Sequence, residues 1–382
     1  MQQVYLDHNA TTPVLPEVLE VLLRYYQEDF GNPSSVHRQG RKARVVLDET
    51  RDCIAEMLGV AAASVFFCSG GTEANNTIIK GVAAARQDRG RHLVTSSIEH
   101  PAVLDTCAFL ARQGYRVTYV PVDAHGVVPP EAVQDALCDD TILVSIMLAN
   151  NETGVLQPIA DIARVVQARG ILMHTDAVQA FGKMPLRVAE LGVDFLSFSG
   201  HKLYAPKGVG GWYMRPGVSL SPLLHGGHQE RGLRSGTENV AGIAALGAAC
   251  ALASRDMRTE WERQLQLQQR LEHGLQERLP DVRIQGLEAP RLPNTTNVAF
   301  AGVEGETLLM SLDLRGVAIS TGSACSSGSL EPSHVLQAMG VPAAYLLGAL
   351  RLSMGRGTTL ADIEYVLDIL PGIVQQARVL ST

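Results

Sequence analysis

Short apolar runs alternate with stretches whose apolar residues recur at helical spacing along the middle of the chain. Ser64 to Cys68 leads into SGGTEANNTIIKGVAAA, and the second unit is HLVTSSIEHPAVLDTCAFLARQG. YRVTYVPVD, ILVSIMLANNETG, PIADIARVVQARG, ILMHTDAVQ and DFLSFSGHK continue the series. This alternation predicts an α/β fold with a mainly parallel central sheet flanked by helices. In such a sheet ligands sit beyond the carboxyl ends of the strands, where the sequence places His100, Asn150, Asn151, Asp176 and Lys202.

The flanks read differently. YLDHNATTPVLPEV predicts a short extended piece and then a helix, with Thr12 as N-cap and Pro13 in the first turn. Gly31 to Ser35 is a loop, and Val45, Val46, Ile54, Met57 and Leu58 fall at helical spacing within Arg41 to Leu58. After Ala205 the loop-like PKGVGG and LLHGGHQERGLRSGTEN precede a helix of small residues, Val240 to Ala253. A separate polar helix, Glu260 to Leu279, then marks a boundary between lobes. The expected organisation is a large domain over residues 15–255 and a smaller α+β domain from residues 1–14 and 256–382.

Composition narrows the partners. With 382 residues, 46% hydrophobic and 19% charged, the chain is long enough for two cores. A formal net charge of -7 argues against nucleic acid or an anionic membrane as the main partner. No signal-like leader is read at the N-terminus and no spanning run in the chain, so a cytoplasmic location is expected. The six cysteines include no C-x-x-C pair, and no resident metal site is expected.

Lys202 ends a buried apolar run, where a cation must be paired, lowered in pKa or covalently occupied; a lysine snorkelling to solvent is the alternative. Gly70 and Gly71, with Thr72 at the start of a helix, outline a phosphate cradle, although Gly-Gly-Thr after a strand is also an ordinary turn. Asp176 needs a cationic partner, either an arginine or a protonated pyridine nitrogen. His100 could stack on a flat ring and move a proton. Cradle, carboxylate and lysine together match the needs of pyridoxal phosphate.

At this point the chain resembles the cysteine desulfurases of the fold-type I, class V aminotransferase superfamily, the group serving nitrogen fixation and iron-sulfur assembly. The resemblance runs from YLDHNATTP and FGNPSS through NNETG, HTDAVQ, SGHKLYAPKGVG and HGGHQERGLRSGTEN to STGSACSSGSLEPSHV. It implies pyridoxal 5'-phosphate as cofactor, with Lys202 as its Schiff-base lysine, Asp176 on the pyridinium nitrogen and His100 stacked on the ring. It further implies that Gln179 bonds the phenolic oxygen and that Gly71, Thr72, Ser199 and His201 hold the phosphate. Thr237 would reach the phosphate of a neighbouring subunit, which implies a homodimer. Asn151 and Arg351 match the positions that hold the substrate carboxylate.

Cys325, in TGSACSSGSLEPS, separates a desulfurase from its relatives. The resemblance implies that its thiolate attacks the sulfur of L-cysteine, leaving a persulfide and releasing L-alanine, and that an iron-sulfur scaffold protein accepts the sulfur. Whether Cys325 also serves as a transient cluster ligand is left open. Two rivals share parts of this pattern: a selenocysteine lyase or aminotransferase that does not need Cys325, and a non-enzymatic sulfur carrier on the same fold.

Overall fold

The computed structural model describes residues 2–279, 281–321 and 331–380. A short strand β1 (Val4–Tyr5) begins the chain. The main sheet follows, built from β2 (Val65–Cys68), β3 (His92–Ser96), β4 (Arg116–Val120), β5 (Thr141–Ser145), β6 (Leu172–Asp176), β7 (Phe195–Ser199) and β8 (Gly210–Met214). Its spatial order is β2-β8-β7-β6-β5-β3-β4. The pairs from β4 across to β7 are parallel, and β8 runs antiparallel to both β7 and β2. A mainly parallel sheet therefore forms as the alternation predicts, with one reversed strand inserted by the turn after Lys202.

Every residue of β2, β3, β5, β6 and β7 is buried, as expected of strands covered on both faces. On one face lie the helices Pro16–Gln27, Arg38–Leu58 and the first half of Val240–Arg278, packed on Val65, Phe67, Val144, Met173 and Leu196. On the other lie Gly71–Ala85 and Pro101–Arg112, packed on Phe66, Leu93, Leu143, Leu172 and Trp212.

A second core gathers the chain's end with its beginning. Strands β9 (Val282–Ile284), β10 (Thr295–Phe300) and β12 (Ala349–Ser353) form an antiparallel sheet in the order β12-β10-β9, while β11 (Val317–Ala318) pairs in parallel with β1. Val4 and Leu6 are buried there beside Val298, Phe300, Leu352 and Val366.

Two local expectations are corrected. Val240–Arg278 is one helix of 39 residues, not two. Its small-residue half enters the first core, and Leu267, Leu271 and Leu275 enter the second. The polar stretch between them holds no Gly or Pro, and Arg356 to Asp256 and Arg263 to the Gly355 and Thr358 carbonyls tie it down, so nothing stops the helix. Its apolar half is long and apolar enough by composition alone to cross a membrane, but 56% of that window is buried inside the protein.

The first long helix begins at Pro16 with Leu15 as a cap lacking a side-chain bond, so Thr12 is no N-cap and Pro13 no helical residue. Thr12 is used elsewhere: its hydroxyl donates to the His201 carbonyl at 3.0 Å and accepts from the Tyr204 N–H at 2.8 Å.

Candidate active site

A cavity of about 250 Å³ opens beyond the carboxyl ends of β5, β6 and β7. It brings together Gly71, Thr72, His100, Asn151, Asp176, Gln179, Ser199, His201, Lys202 and Arg351. Thr237 is exposed and does not line it, and Cys325 lies outside the described residues.

Asp176 is the last residue of β6 and is buried. Asn75 Nδ2 donates to its Oδ2 at 2.6 Å and the Val178 N–H to its Oδ1 at 2.9 Å. Burial raises its pKa; the Val178 N–H, His100, Asn75 and Lys202 pull the other way. Asn75 is itself set by a relay through the core. The Ser197 hydroxyl donates to Asn75 Oδ1 at 2.5 Å, and His174 lies between Ser197 Oγ at 3.3 Å and Ser145 Oγ at 2.8 Å.

Lys202 sits in the single turn of 3-10 helix Gly200–Lys202 that follows β7. Its Nζ donates to the carbonyls of Asn9 and Ala10, both at 2.6 Å, so the amino-terminal segment forms the floor beneath the amine. Tyr204, two residues on, has φ 64, a left-handed conformation held by the bond from its N–H to Thr12.

His100 caps the helix Pro101–Arg112. The Ala102 N–H donates to its Nδ1 at 3.0 Å, which assigns the proton of the neutral ring to Nε2. Burial lowers its pKa and Asp176 opposes that. His201 is likewise lowered by burial, to about 4, with Lys202 adding to the effect.

The helix Gly71–Ala85 starts at Gly70, φ 150, without a side-chain cap, so its first N–H groups point toward the cavity unclaimed by a capping oxygen. Closeness here demands glycine: a Cβ on Gly71 would stand 2.6 Å from Val178 Cγ2. Ser199 lies beside this turn, its Oγ 3.3 Å from where a Cβ on Gly70 would be.

Arg351, in β12, is buried and links the second core to the cavity. It pairs with Asp7 at 2.8 Å and donates to the Asn151 carbonyl at 3.1 Å, while its buried Nε makes no hydrogen bond among the described residues. Asn150, by contrast, is structural. Its Oδ1 accepts the Glu152 and Thr153 N–H groups, and its Nδ2 bonds the Ile98 carbonyl.

Sequence reasoning passed over Asn75, Asn9 and Lys183. Asn75 stands one helical turn after Gly71, a spacing that places both on one face. Lys183 lies half-buried beneath the floor, donating to Gln179 Oε1 at 3.0 Å and Asn9 Oδ1 at 3.3 Å; desolvation, with Lys202 and Arg351 nearby, lowers its pKa to about 7. It stands four residues after Gln179, a helical interval that was the one available signal.

The family model for class-V aminotransferases matches residues 4–366. A cysteine desulfurase IscS of Dictyoglomus turgidum is 49% identical over 380 residues, covering 100% of this chain and 96% of the relative. One from Methanosarcina thermophila is 50% identical over 378 residues, covering 99% and 93%. A solved structure of a NifS-like protein superposes with a TM-score of 0.92 at 41% identity, covering 98% of this chain and all of that one. The chain belongs to the cysteine desulfurases of the class-V aminotransferase family.

Proposed function

We propose that the protein is a pyridoxal 5'-phosphate-dependent L-cysteine desulfurase that forms a persulfide on Cys325 and supplies sulfur for iron-sulfur cluster assembly. The observation that carries this reading is the pairing, in one cavity, of a buried carboxylate held by neutral donors with a lysine amine. Family membership directs that pairing to cysteine.

The residues fit the cofactor. Asp176, whose hydrogen-bond partners among the described residues are Asn75 and a backbone N–H, suits a pyridinium N–H. The uncapped helix start at Gly71, with the Thr72 and Ser199 hydroxyls and His201, suits a phosphate. His100 would lie against the ring, and Gln179 keeps one amide hydrogen for the phenolic oxygen after donating the other to the Asn9 carbonyl at 3.0 Å. When bound, the cofactor supplies an aldehyde for an amine and an electron-withdrawing ring for the Cα of an amino acid.

The chain's own groups do the rest. Arg351, whose Nε has no hydrogen bond among the described residues, grips the substrate carboxylate with Asn151 beside it. Lys202 Nζ moves the Cα proton, and His100, neutral at pH 7, holds a proton at Nε2 for the thiol. The Cys325 thiolate forms an S–S bond with the substrate sulfur as the Cβ–S bond breaks. The carbon takes a proton and leaves as alanine, and Cys325 keeps the persulfide.

Both flanks of the segment that carries Cys325 are tied to the cavity, which supports its role. Ser320 bridges to Arg351, with N to O distances of 2.7 and 3.3 Å, and the Ser333 hydroxyl donates to Glu152, next to Asn151, at 2.5 Å.

We also propose a cytoplasmic homodimer in which Thr237 completes the partner's phosphate site, and an iron-sulfur scaffold protein as sulfur acceptor. Exposed Thr237 and the apolar Tyr26, Phe30 and Val36, 63%, 67% and 88% exposed, support an unfilled protein interface. The division into residues 15–255, and 1–14 with 256–382, is proposed as the domain arrangement; the boundary falls inside one helix shared by the two cores.

The test is incubation with L-cysteine and a thiol reductant while alanine and sulfide are followed together. Equal yields are expected from the wild type, with sulfide abolished in Cys325→Ala. Substantial desulfuration by that variant would sink the persulfide route and favour a relative that does not need the thiol.

A further inference from the structure

At the amino-terminal edge of the main sheet, away from the cavity, three chemically suitable side chains converge. His92 opens β3, and Cys138 and Asp140 sit in the turn that opens β5. His92 Nδ1 is 3.0 Å from Cys138 Sγ, which is 3.3 Å from Asp140 Oδ1, and all three ligand atoms lie within 4.8 Å of one another. We propose that His92, Cys138 and Asp140 form a binding site for one zinc(II) ion, with water as the fourth ligand.

The distances are those an ion needs. Tetrahedral zinc with sulfur and nitrogen or oxygen ligands holds them roughly 3.3–3.6 Å apart. The nitrogen-to-sulfur and sulfur-to-oxygen pairs stand within about half an ångström of that spacing, and the nitrogen-to-oxygen pair lies within 4.8 Å.

The backbone is built to hold these groups still. The β3 to β5 register slips between His92 and Leu93, the kind of irregularity that re-aims a side chain. The turn is closed by the Thr141 N–H on the Cys138 carbonyl at 3.0 Å and by the Cys138 N–H on Thr141 Oγ1 at 2.9 Å. A Cβ at Gly90 would lie 2.1 Å from the Asp140 carbonyl oxygen, so only glycine lets the two segments meet.

The support of a metal histidine is also present. His92 is buried, and its Nε2 lies 2.9 Å from Thr118 Oγ1. The Thr141 hydroxyl stands 2.7 Å from Nδ1 and also accepts from the Cys138 N–H; with the ring proton on Nε2, facing Thr118, Nδ1 is the nitrogen left for an ion. Binding an ion at Nδ1 then requires the Thr141 hydroxyl to turn from the ring toward Cys138 Sγ, 3.2 Å away.

One group competes. Arg116 Nη2 stands 2.8 Å from Cys138 Sγ and 2.7 Å from Asp140 Oδ1, where it supplies the positive charge that the ion would bring. Its side chain is 59% exposed and that of Asp140 47%, which leaves a route for the guanidinium to leave and for the ion and its water to enter.

Cobalt(II) titration of the full-length, chelator-treated protein tests this, in a Cys325→Ala background that removes the other thiol of interest. One equivalent is expected to bind with a sulfur-to-cobalt charge-transfer band, and zinc to displace it. Cys138→Ser should lose the band, and the half-exposed Asp140→Asn, which spares the buried histidine, should weaken binding at least about tenfold. Arg116→Ala should tighten it. Absence of the band in the parent protein, its survival unchanged in Cys138→Ser, or unaltered affinity in Asp140→Asn would each overturn the proposal.

Discussion

Two buried acids in this molecule are kept in opposite ways. Glu230 is closed: Arg51 grips it with both terminal nitrogens at 2.8 and 2.9 Å, the Phe67 N–H adds a bond at 2.9 Å, and Arg51 also reaches the Val65 carbonyl. Asp176 is open: the hydrogen bonds given to it among the described residues come from an amide and a backbone N–H, neither of which carries charge. A carboxylate buried with a full cationic partner serves the fold; one buried without it holds a place for a cation that arrives with a ligand. The first pins the loop where Glu230 and Arg231 take φ values of 44 and 56, while the second faces Lys202 across the cavity.

The largest effect is expected at the closed acid. Glu230→Gln leaves Arg51 buried and unpaired and releases a strained turn, so it should cost about 3–5 kcal/mol of unfolding free energy. Denaturant melts of the two proteins measure it. A loss below about 1 kcal/mol would mean that the pair is not what holds the loop.

Asp176→Asn should invert that pattern. The charge that balances a ring cation is removed, and turnover of cysteine should fall on the order of 100- to 1,000-fold. Stability without cofactor should suffer less than in Glu230→Gln, because no cation is orphaned. A variant that keeps its rate but melts early would place Asp176 with the structural acids and break the contrast.

Lys202, Asp176 and His100 were legible in the sequence because a parallel α/β sheet fixes where strand ends go, and polar residues at those ends stand out against apolar runs. The partners that tune them were not. Asn75 looks like any helical asparagine until β7 brings Ser197 beside it, and Asn9 contributes a backbone carbonyl that no side-chain pattern announces. The Arg51 to Glu230 pair joins positions 179 residues apart, one in a helix and one in a loop, and neither spacing nor composition links them. The long helix was misread for a related reason. Its change from apolar to polar composition marks passage from one core to another, and such passage needs no break in the backbone.

The smallest effect sharpens the comparison with a third way of burying a titratable group. His174 lies on β6 two residues before Asp176, on the same face, and is fully buried between two serine hydroxyls, with burial lowering its pKa to about 3. It is neither paired with an opposite charge nor open to the cavity. The unfolded chain takes up a proton at this residue below its ordinary value near 6.5, while the folded protein does so only near 3. The stability that the neutral ring contributes is therefore complete above pH 6.5 and is lost as pH falls toward 3, at up to about 1.4 kcal/mol per unit. Between pH 6.5 and 5 this amounts to about 2 kcal/mol. Urea melts of the wild type and of His174→Gln at both pH values isolate this residue from the other buried histidines, because the difference between the two proteins should shrink by that amount on acidification. An equal acid loss in both would show that His174 is protonated inside the fold. The relay through Ser197 and Asn75 would then bring positive charge toward Asp176, and that acid would be as closed as Glu230.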